Sequence, residues 1–250
     1  MNGSARIRLD EALVIRGLCP SRSRARDAVL RGAVTVNGTT AAKPAQPVGP
    51  GDALSLADPA QGYVSRAALK LIAGLDHFSL SVEGLEALDI GSSTGGFVQV
   101  LLGRGAAHVT GIEVGHGQLH QSLGADMRVT NLEGLNARDL APDYLRGRHI
   151  RFVTSDVSFI SLKLALPPAL GIAETGAHCL LLVKPQFEAG REAVGKGGLL
   201  RDLHDGARIA DELFEWLDAQ PGWRSLGHCP SPIEGGDGNR EYLLAGVKDQ

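Results

Sequence analysis

The chain has 250 residues, which is enough for one large domain or for a small domain followed by a medium one. Hydrophobic residues make up 43% and charged residues 21% of the chain, and its 33 glycines and 12 prolines stay below the range of low-complexity sequences. These values exclude a disordered chain and a miniature scaffold that depends on disulfide bonds.

No membrane-spanning or secretory segment is recognisable. The longest apolar run, residues 179–183, is far shorter than the roughly 20 residues of a transmembrane helix. Arg6, Arg8 and Asp10 stand where a signal peptide would be apolar. The three cysteines lie far apart and form no CxxC pair, so we expect reduced thiols and no metal site. We therefore expect a soluble protein of the cytoplasm, without a membrane partner.

Charge is distributed unevenly along the chain. Residues 1–58 contain eight basic and five acidic residues, a net charge of +3, whereas the whole chain carries −3. The remaining residues therefore carry −6, and a basic module precedes an acidic one. In its densest part, residues 21–26, Arg22 and Arg26 are four positions apart and would share a helix face. Such a face can follow a phosphate backbone, or it can be an ordinary solvated surface.

The basic module predicts two short helices followed by a small sheet. Apolar residues within 9–15 indicate the first helix, and a serine can cap a second helix that ends before Gly32. Residues 34–36 alternate and run into Asn37-Gly38, the dipeptide most typical of a tight hairpin turn. After a stretch rich in Pro and Gly, Leu54 and Leu56 indicate a returning strand.

Three motifs of this module resemble the ribosomal S4-like RNA-binding domain. They are Arg8-Leu9-Asp10, the segment from Ser21 to Arg26, and the segment from Val34 to Gly38. The resemblance implies a compact α+β domain over residues 1–60, with ribosomal RNA or ribosomal subunits as its partner. The RNA-binding residues that it implies are all basic, namely Arg6, Arg8, Arg22, Arg24, Arg26 and Lys43.

From Tyr63 onward, short apolar strands alternate with helices. The predicted strands lie within residues 85–90, 109–114, 152–157, 179–183 and 242–247. This alternation predicts a mostly parallel sheet with helices on both faces, and ligands bind beyond the carboxyl ends of such strands. Asp89, Glu113, Asp156 and Lys184 fall near predicted strand ends, so we expect them to meet at one edge of the sheet.

A glycine-rich turn, Gly91-Ser92-Ser93-Thr94-Gly95-Gly96-Phe97, follows the first of these strands. Such a turn lets the backbone approach a ligand, and an acid at the end of the next strand, here Glu113, can accept hydrogen bonds from ribose hydroxyls. Ser93 stands where a dinucleotide site needs its second glycine, which favours S-adenosylmethionine as the cofactor. No Gly-Lys-Ser/Thr follows, so a P-loop is excluded. Another nucleotide cofactor and a purely structural turn are the alternatives.

Two lysines and two carboxylates are candidates for catalysis. A lysine can act as a base only where burial or positive neighbours lower its pKa from roughly 10.4. Lys184 interrupts an apolar strand and precedes Pro185, a placement that is rare for a lysine without a partner. Asp156 ends an adjacent strand and Glu241 begins the last one. Lys70 lies on a predicted helix, where it can also be an ordinary surface residue.

Seven further motifs, in order along the chain, resemble the TlyA-type ribosomal RNA 2′-O-ribose methyltransferases. In that family an S4-like domain precedes an FtsJ-like methyltransferase domain. The motifs are Tyr63-Val64-Ser65-Arg66 with Lys70, Asp89 to Phe97, Val114 to Leu119, Thr154 to Leu162, Lys184 to Glu188, Gly195 to Gly198, and Asn239 to Tyr242.

The resemblance implies an α/β fold, with a Rossmann-like methyltransferase domain over residues 61–250 that depends on S-adenosylmethionine and needs no metal. It implies a catalytic Lys-Asp-Lys-Glu tetrad of Lys70, Asp156, Lys184 and Glu241, with Lys184 as the base. The cofactor-binding residues that it implies are Asp89, Gly91, Ser92, Ser93, Gly95, Gly96, Phe97, Glu113, Val114, Asn136 and Asp156.

The chain departs from this family at two places. Glu113 stands where the family usually has Asp, and Gly134-Leu135 stands where it usually has a basic and a hydroxyl residue. The first change keeps the charge on a longer arm, so we expect the affinity for the cofactor to change and its identity to be kept. The second change affects the contacts around Asn136 and the adenine.

Two competing interpretations follow from the same sequence. The family carries an old haemolysin name, which suggests a membrane-active protein, but the chain has no apolar span and its second module is acidic. The other alternative is an RNA-binding regulator with an inactive enzyme domain. The presence of all four tetrad residues speaks against it.

Overall fold

Separate apolar cores divide the chain into two units, Met1–Gly62 and Tyr63–Gln250. The structure is a computed structural model, which describes residues 6–202, 205–236 and 238–249. Leu9, Leu13 and Val29 are buried in the core of the first unit, and the second unit packs apolar residues against both faces of a large sheet. Within the described ranges, no helix is long and apolar enough to cross a lipid bilayer.

The first unit contains two short helices and two small antiparallel sheets. Its elements are β1 (Ile7–Arg8), α1 (Leu9–Ile15), α2 (Arg22–Leu30), β2 (Val34–Val36), β3 (Thr39–Thr40), β4 (Pro47–Val48) and β5 (Leu54–Leu56). β1 pairs with β4, and β2 lies between β3 and β5. Ser21 caps α2 by accepting a hydrogen bond from the Arg24 N–H at 3.3 Å. The predicted helices and hairpin are present, and the hairpin turns at Asn37 and Gly38, whose φ angles are 51° and 81°.

The second unit is built around one seven-stranded sheet. Its elements are α3 (Ala68–His77), β6 (Glu86–Ile90), α4 (Gly96–Gly103), β7 (His108–Glu113), α5 (Gln121–Gly124), β8 (Val129–Glu133), β9 (Ile150–Ser155), α6 (Leu162–Ala165), α7 (Pro167–Ile172), β10 (His178–Val183), α8 (Pro185–Glu188), α9 (Asp205–Asp218), β11 (Trp223–Pro230) and β12 (Tyr242–Lys248).

The strand order is β11-β12-β10-β9-β6-β7-β8. The five strands from β10 to β8 are parallel, and β12 pairs antiparallel with both β10 and β11. The predicted mostly parallel sheet is therefore confirmed. The two strands that form its edges, β8 and β11, were not predicted. β9 ends at Ser155 rather than at Asp156, and the Asp156 N–H bonds to the Ile90 carbonyl at 3.0 Å.

Alternation along the strands places the candidate catalytic residues on one face of the sheet. Leu180 and Leu182 of β10 and Leu243 of β12 pack against the apolar layer that includes α3 and α4. Lys184 and Glu241 continue this alternation just beyond the ends of β10 and β12, at the same edge of the sheet. The polar site therefore forms where an apolar layer ends.

Candidate active site

The glycine-rich turn connects β6 to α4 through a tight backbone path. Gly95 has a φ of 95°, and a Cβ at this position would lie 2.3 Å from Cδ1 of Leu123. Only glycine combines this conformation with this space. Ser93 also has a positive φ, 45°, and its N–H donates to Oε2 of Glu113 at 3.0 Å. This hydrogen bond ties the turn to the end of β7.

A cavity of about 630 Å³ lies beyond the carboxyl ends of β6, β7, β9 and β10. This volume is within the range of small-molecule cofactor sites. Its walls are formed by Ile90, Gly91, Ser93, Ile112, Glu113, Val114, Gln118, Leu135, Asn136, Ala137, Asp156, Val157, Ser158, Phe159, Ile160, Ala165 and Lys184. Six of the predicted cofactor-binding residues are among them, namely Gly91, Ser93, Glu113, Val114, Asn136 and Asp156. The other five, namely Asp89, Ser92, Gly95, Gly96 and Phe97, lie outside this lining.

Glu113 links the loops on two sides of the cavity. Its Oε2 accepts from the Ser93 N–H, and its Oε1 accepts from the Gly115 N–H at 2.7 Å and from Nε2 of Gln118 at 3.3 Å. A carboxylate has about four acceptor sites, so a further donor can still bind there. The Glu113 side chain therefore holds the two loops together and keeps acceptor capacity for a ligand.

At Gly134, the first residue of the second departure from the family, the backbone conformation favours glycine. Its φ is 69°, and a Cβ would lie 2.8 Å from Nε2 of His116. The imidazole of His116 therefore occupies the space that a side chain at position 134 would need. This packing brings the loop after β7 against the loop after β8.

Asp89 is a buried acid behind the glycine-rich turn. Its side chain is fully buried, and neither carboxylate oxygen has a hydrogen-bond partner among the described residues. Burial, together with the negative charges of Asp156 and Glu113, raises the pKa of Asp89 well above its usual range. The folded protein therefore favours the neutral carboxyl.

The four tetrad residues form two ion pairs. Nζ of Lys184 lies 2.6 Å from Oδ1 of Asp156 and donates to Oγ of Ser158 at 2.8 Å. Nζ of Lys70, on the buried side of α3, pairs with Oε2 of Glu241. The side chains of Lys70 and Glu241 are only 7% and 2% exposed.

Electrostatics connect the two pairs. Burial raises the pKa of Glu241, although Lys70 and Lys184 oppose this shift and Asp156 adds to it. Glu241 is therefore close enough to respond to the other pair as well as to its own partner. Buried charges of this kind persist only when each has an opposite charge beside it.

Phe159 is a feature that the sequence analysis quoted in a motif without giving it a role. It lines the cavity three residues after Asp156, is 91% exposed, and has a φ of 65°. A strained backbone of this kind costs on the order of 1–3 kcal/mol and is typical of functional sites. Its ring lies 5.1 Å from that of Phe187. The available signal was an apolar pair, Phe159-Ile160, between two serines just after a strand.

The predicted RNA-binding arginines differ in their surroundings. Arg8 and Arg22 lie 2.8 and 3.5 Å from Asp10, and Arg24 donates to the Ala60 carbonyl at 2.7 Å. Arg26 and Lys43 are exposed and form no ion pair with another described residue. The exposed residue Arg6 has a long-range attraction to Asp52. Part of the basic cluster is therefore engaged in holding the first unit together.

The fold and the cavity at the strand ends are those of a methyltransferase domain. The family model of FtsJ-like methyltransferases matches residues 63–248, and that of the S4 domain matches residues 7–54. The chain belongs to the FtsJ-like methyltransferases and, within them, to the TlyA family that joins this domain to an S4 domain. Membership implies S-adenosylmethionine as the cofactor. In the described ranges, no group of three or more His, Cys, Asp or Glu residues is arranged to hold a metal ion.

Relatives match along almost the whole chain. The 16S/23S rRNA (cytidine-2′-O)-methyltransferase TlyA of Mycobacterium tuberculosis is 45% identical over 240 residues, which are 96% of this chain and 89% of the relative. Hemolysin A of Brachyspira hyodysenteriae is 38% identical, with 95% and 98% covered. The structure of a candidate hemolysin of Streptococcus thermophilus superposes with a TM-score of 0.75 at 38% identity, covering 98% of this chain and 90% of the other.

Proposed function

We propose that this protein transfers the methyl group of S-adenosylmethionine to the 2′-hydroxyl of a ribose in ribosomal RNA. The observation that carries the proposal is the position of the Lys184–Asp156 pair, which lines the same cavity as Glu113 and the glycine-rich turn. A base and a cofactor site thus share one space. The names of the M. tuberculosis relative and of other relatives, rRNA cytidine-2′-O-methyltransferases, support ribosomal RNA as the substrate.

The cavity offers the groups that S-adenosylmethionine needs. Glu113 would accept hydrogen bonds from the ribose hydroxyls, Asn136 and its neighbours would bind the adenine, and the backbone at Gly91 and Ser93, which lines the cavity, would bind the amino-acid end. The assignments of Ser92, Gly95, Gly96 and Phe97 rest on their places in this turn, and that of Asp89 rests on its place in β6 just before the turn. When bound, the cofactor supplies a methyl group made electrophilic by its sulfonium.

Lys184 accepts the proton of the ribose hydroxyl. For this step Lys184 must be a neutral amine that has already released a proton to solvent, so that Nζ can take the hydroxyl proton; the bound cofactor would supply the methyl group to the 2′-oxygen and leave as a neutral thioether. Asp156 and Ser158 hold Nζ in place through contacts of 2.6 and 2.8 Å. Fixed geometry of this kind removes much of the entropic cost of reaching the transition state.

Lys70 and Glu241 balance charge next to Lys184 and Asp156 without contacting the ribose, because both side chains are buried and neither lines the cavity. Because the two charges are buried and neutralise each other, the pair contributes a fixed electrostatic field and does not act as a second base. Phe159 stacks on the base of an unpaired nucleotide, since an exposed ring next to the reacting group suits a base taken out of its helix.

The first unit contributes affinity for structured RNA. Arg26 and Lys43 are exposed and can contact phosphates, and Arg6, Arg8, Arg22 and Arg24 add positive potential around them.

The decisive experiment is mass-spectrometric mapping of ribose methylation in ribosomal RNA after incubation with the purified protein and cofactor. We expect a new 2′-O-methyl group at a defined nucleotide. Protein carrying Lys184→Ala serves as the control, and it should bind the cofactor in calorimetry without methylating the RNA. No methylation of 16S or 23S RNA, free or within subunits, would refute the proposal.

A further inference from the structure

Two segments that follow neighbouring strands lie side by side next to the cavity. One runs over residues 156–162 after β9, and the other over residues 184–188 after β10. Lys184 contacts Asp156 and Ser158, and the ring of Phe187 packs against that of Phe159. The proposed catalytic contacts are thus one part of a longer seam, that is, the line of contacts between the 156–162 and 184–188 segments.

Glu188 closes the far end of this seam. Its Oε1 accepts from the Leu162 N–H at 2.7 Å, and its Oε2 accepts from Oγ of Ser161 at 2.5 Å. The Leu162 N–H is at the start of α6, where backbone donors have no acceptor within the helix. Burial raises the pKa of the Glu188 carboxyl, and the two hydrogen bonds oppose this shift. The carboxyl is therefore largely withdrawn from solvent and used locally.

The segment between these anchors carries the exposed part of the site. At its start, the Asp156 N–H is bonded to the Ile90 carbonyl, and at its end, Ser161 and Leu162 are bonded to Glu188. Between them lie Ser158, which contacts Lys184, and Phe159, which has the strained φ of 65°. Strain persists only where both ends of a segment are held.

We propose that Glu188 is a positioning residue: its carboxyl fixes the end of the 156–162 segment and so keeps Ser158 and Phe159 in register with Lys184. This inference rests on the proposed function. It assigns to Glu188 no contact with the RNA or with the cofactor. Its effect on turnover is exerted through the geometry of Phe159 and Ser158.

Two variants separate this geometric role from a role of charge. Glu188→Gln can accept from the Leu162 N–H and donate to Oγ of Ser161, whereas Glu188→Leu has a similar volume and makes neither bond. We expect Glu188→Leu to lower kcat for RNA methylation by about tenfold, because small displacements of reacting groups are costly. The dissociation constant of S-adenosylmethionine should change by less than about threefold, since Asp156 is anchored separately by its N–H bond to the Ile90 carbonyl, and Glu113 and Asn136 lie on other loops. Glu188→Gln should stay within about twofold of the unmodified protein in both quantities.

The inference is overturned if Glu188→Gln is as impaired as Glu188→Leu, or if Glu188→Leu has unchanged kcat. It also predicts that Glu188→Leu costs less in a Phe159→Ala protein than in the unmodified protein, because part of its effect acts through the Phe159 ring. If the double variant lost activity by the product of the two single losses, Glu188 would not act through Phe159. Thermal melts of each variant identify any general loss of folding.

A spectroscopic arm tests the inference even if the RNA substrate is wrong. Phe159→Trp places an indole at the exposed position, and its fluorescence anisotropy reports local mobility. The signal of Trp216 and Trp223 is subtracted by measuring the same protein with Phe159 retained. Adding Glu188→Leu should lower this anisotropy, while adding Glu188→Gln should not. Equal anisotropy in all three proteins would show that Glu188 does not hold the segment, whether or not the protein methylates RNA.

Discussion

Nζ of Lys184 and Oδ1 of Asp156 lie 2.6 Å apart across the ends of the neighbouring parallel strands β10 and β9. On the other side of β10, Glu241 precedes β12 and pairs with Lys70 of α3. Three adjacent strand ends and one helix therefore bring opposite charges together in two pairs. The order of the strands decides which charge meets which.

Lys184 can be tested as a base by comparing two replacements. Lys184→Ala removes the amine, and Lys184→Arg keeps a positive charge on a group that does not release its proton in proteins. We expect both to lower the single-turnover rate of methylation by at least about 100-fold, the usual contribution of a general base. Binding of S-adenosylmethionine, measured by calorimetry, should persist in both. A Lys184→Arg protein with near-normal rate would instead assign Lys184 an electrostatic role.

Removing one member of the Lys70–Glu241 pair should destabilise the fold. Lys70→Met leaves Glu241 buried without its partner, and we expect the free energy of unfolding in urea to fall by about 3–5 kcal/mol. Adding Glu241→Gln should recover part of this loss.

The same pair has a defined dependence on pH. Burial raises the pKa of Glu241, and loss of Lys70 removes an interaction that opposes the shift. An acid with a raised pKa contributes stability that is lost as pH rises, so the defect of Lys70→Met should be smallest at about pH 4 and grow above it. A defect independent of pH would show that Glu241 is not the residue left unpaired.

Asp89 should make the protein less stable as pH rises. Its raised pKa means that the folded state retains a proton that the unfolded chain releases above about pH 4. We expect Asp89→Asn to gain stability relative to the unmodified protein by up to about 1.4 kcal/mol per pH unit above that point. Parallel stability curves would contradict the buried neutral carboxyl.

Asp126 offers a control of opposite sign. Hydrogen bonds from Arg128 lower the pKa of Asp126 to about 2. Its contribution is therefore present above the ordinary pKa of an aspartate and is lost as pH falls towards about 2. Asp126→Asn should reduce stability at neutral pH, in contrast to Asp89→Asn.

Phe159 should matter for RNA and not for the cofactor. We expect Phe159→Ala to lower kcat/KM for RNA by about 5- to 100-fold, which corresponds to the loss of one stacked base. Because the ring is 91% exposed, the free energy of unfolding should change by less than about 0.5 kcal/mol. Phe159→Tyr keeps an aromatic face and should retain activity. Weaker binding of S-adenosylmethionine by Phe159→Ala would place the ring on the cofactor instead.

The exposed basic residues of the first unit should determine the salt dependence of RNA binding. We expect the double replacement Arg26→Ala and Lys43→Ala to reduce the slope of log affinity against log salt by about 1 for each lost phosphate contact. Fluorescence anisotropy with a ribosomal RNA fragment measures this slope. Arg16→Ala is the matched control, because Arg16 donates to the carbonyls of Gly49 and Asp52 and should affect stability rather than the slope.

Much of the fold could be predicted from local patterns. The Asn37-Gly38 turn, the apolar strand that ends at Val183 and the glycine-rich turn after Ile90 all depend on neighbouring residues, whose steric and burial preferences are visible in the sequence. The edge strands β8 and β11 were missed. β8 is only half buried, and β11 combines a bulge near Gly227 with irregular burial, so neither shows a clear apolar pattern.

The candidate site shows the same division between local and long-range information. The sequence by itself determined that Lys184 follows an apolar strand and that Asp156 and Glu241 flank others. Only the tertiary structure decided that Lys184 pairs with Asp156, that Lys70 pairs with Glu241, and that Phe159 is exposed beside them. The physical reason is that alternation along a strand depends on adjacent residues, whereas the neighbours of a strand end depend on the order in which distant strands pack into one sheet.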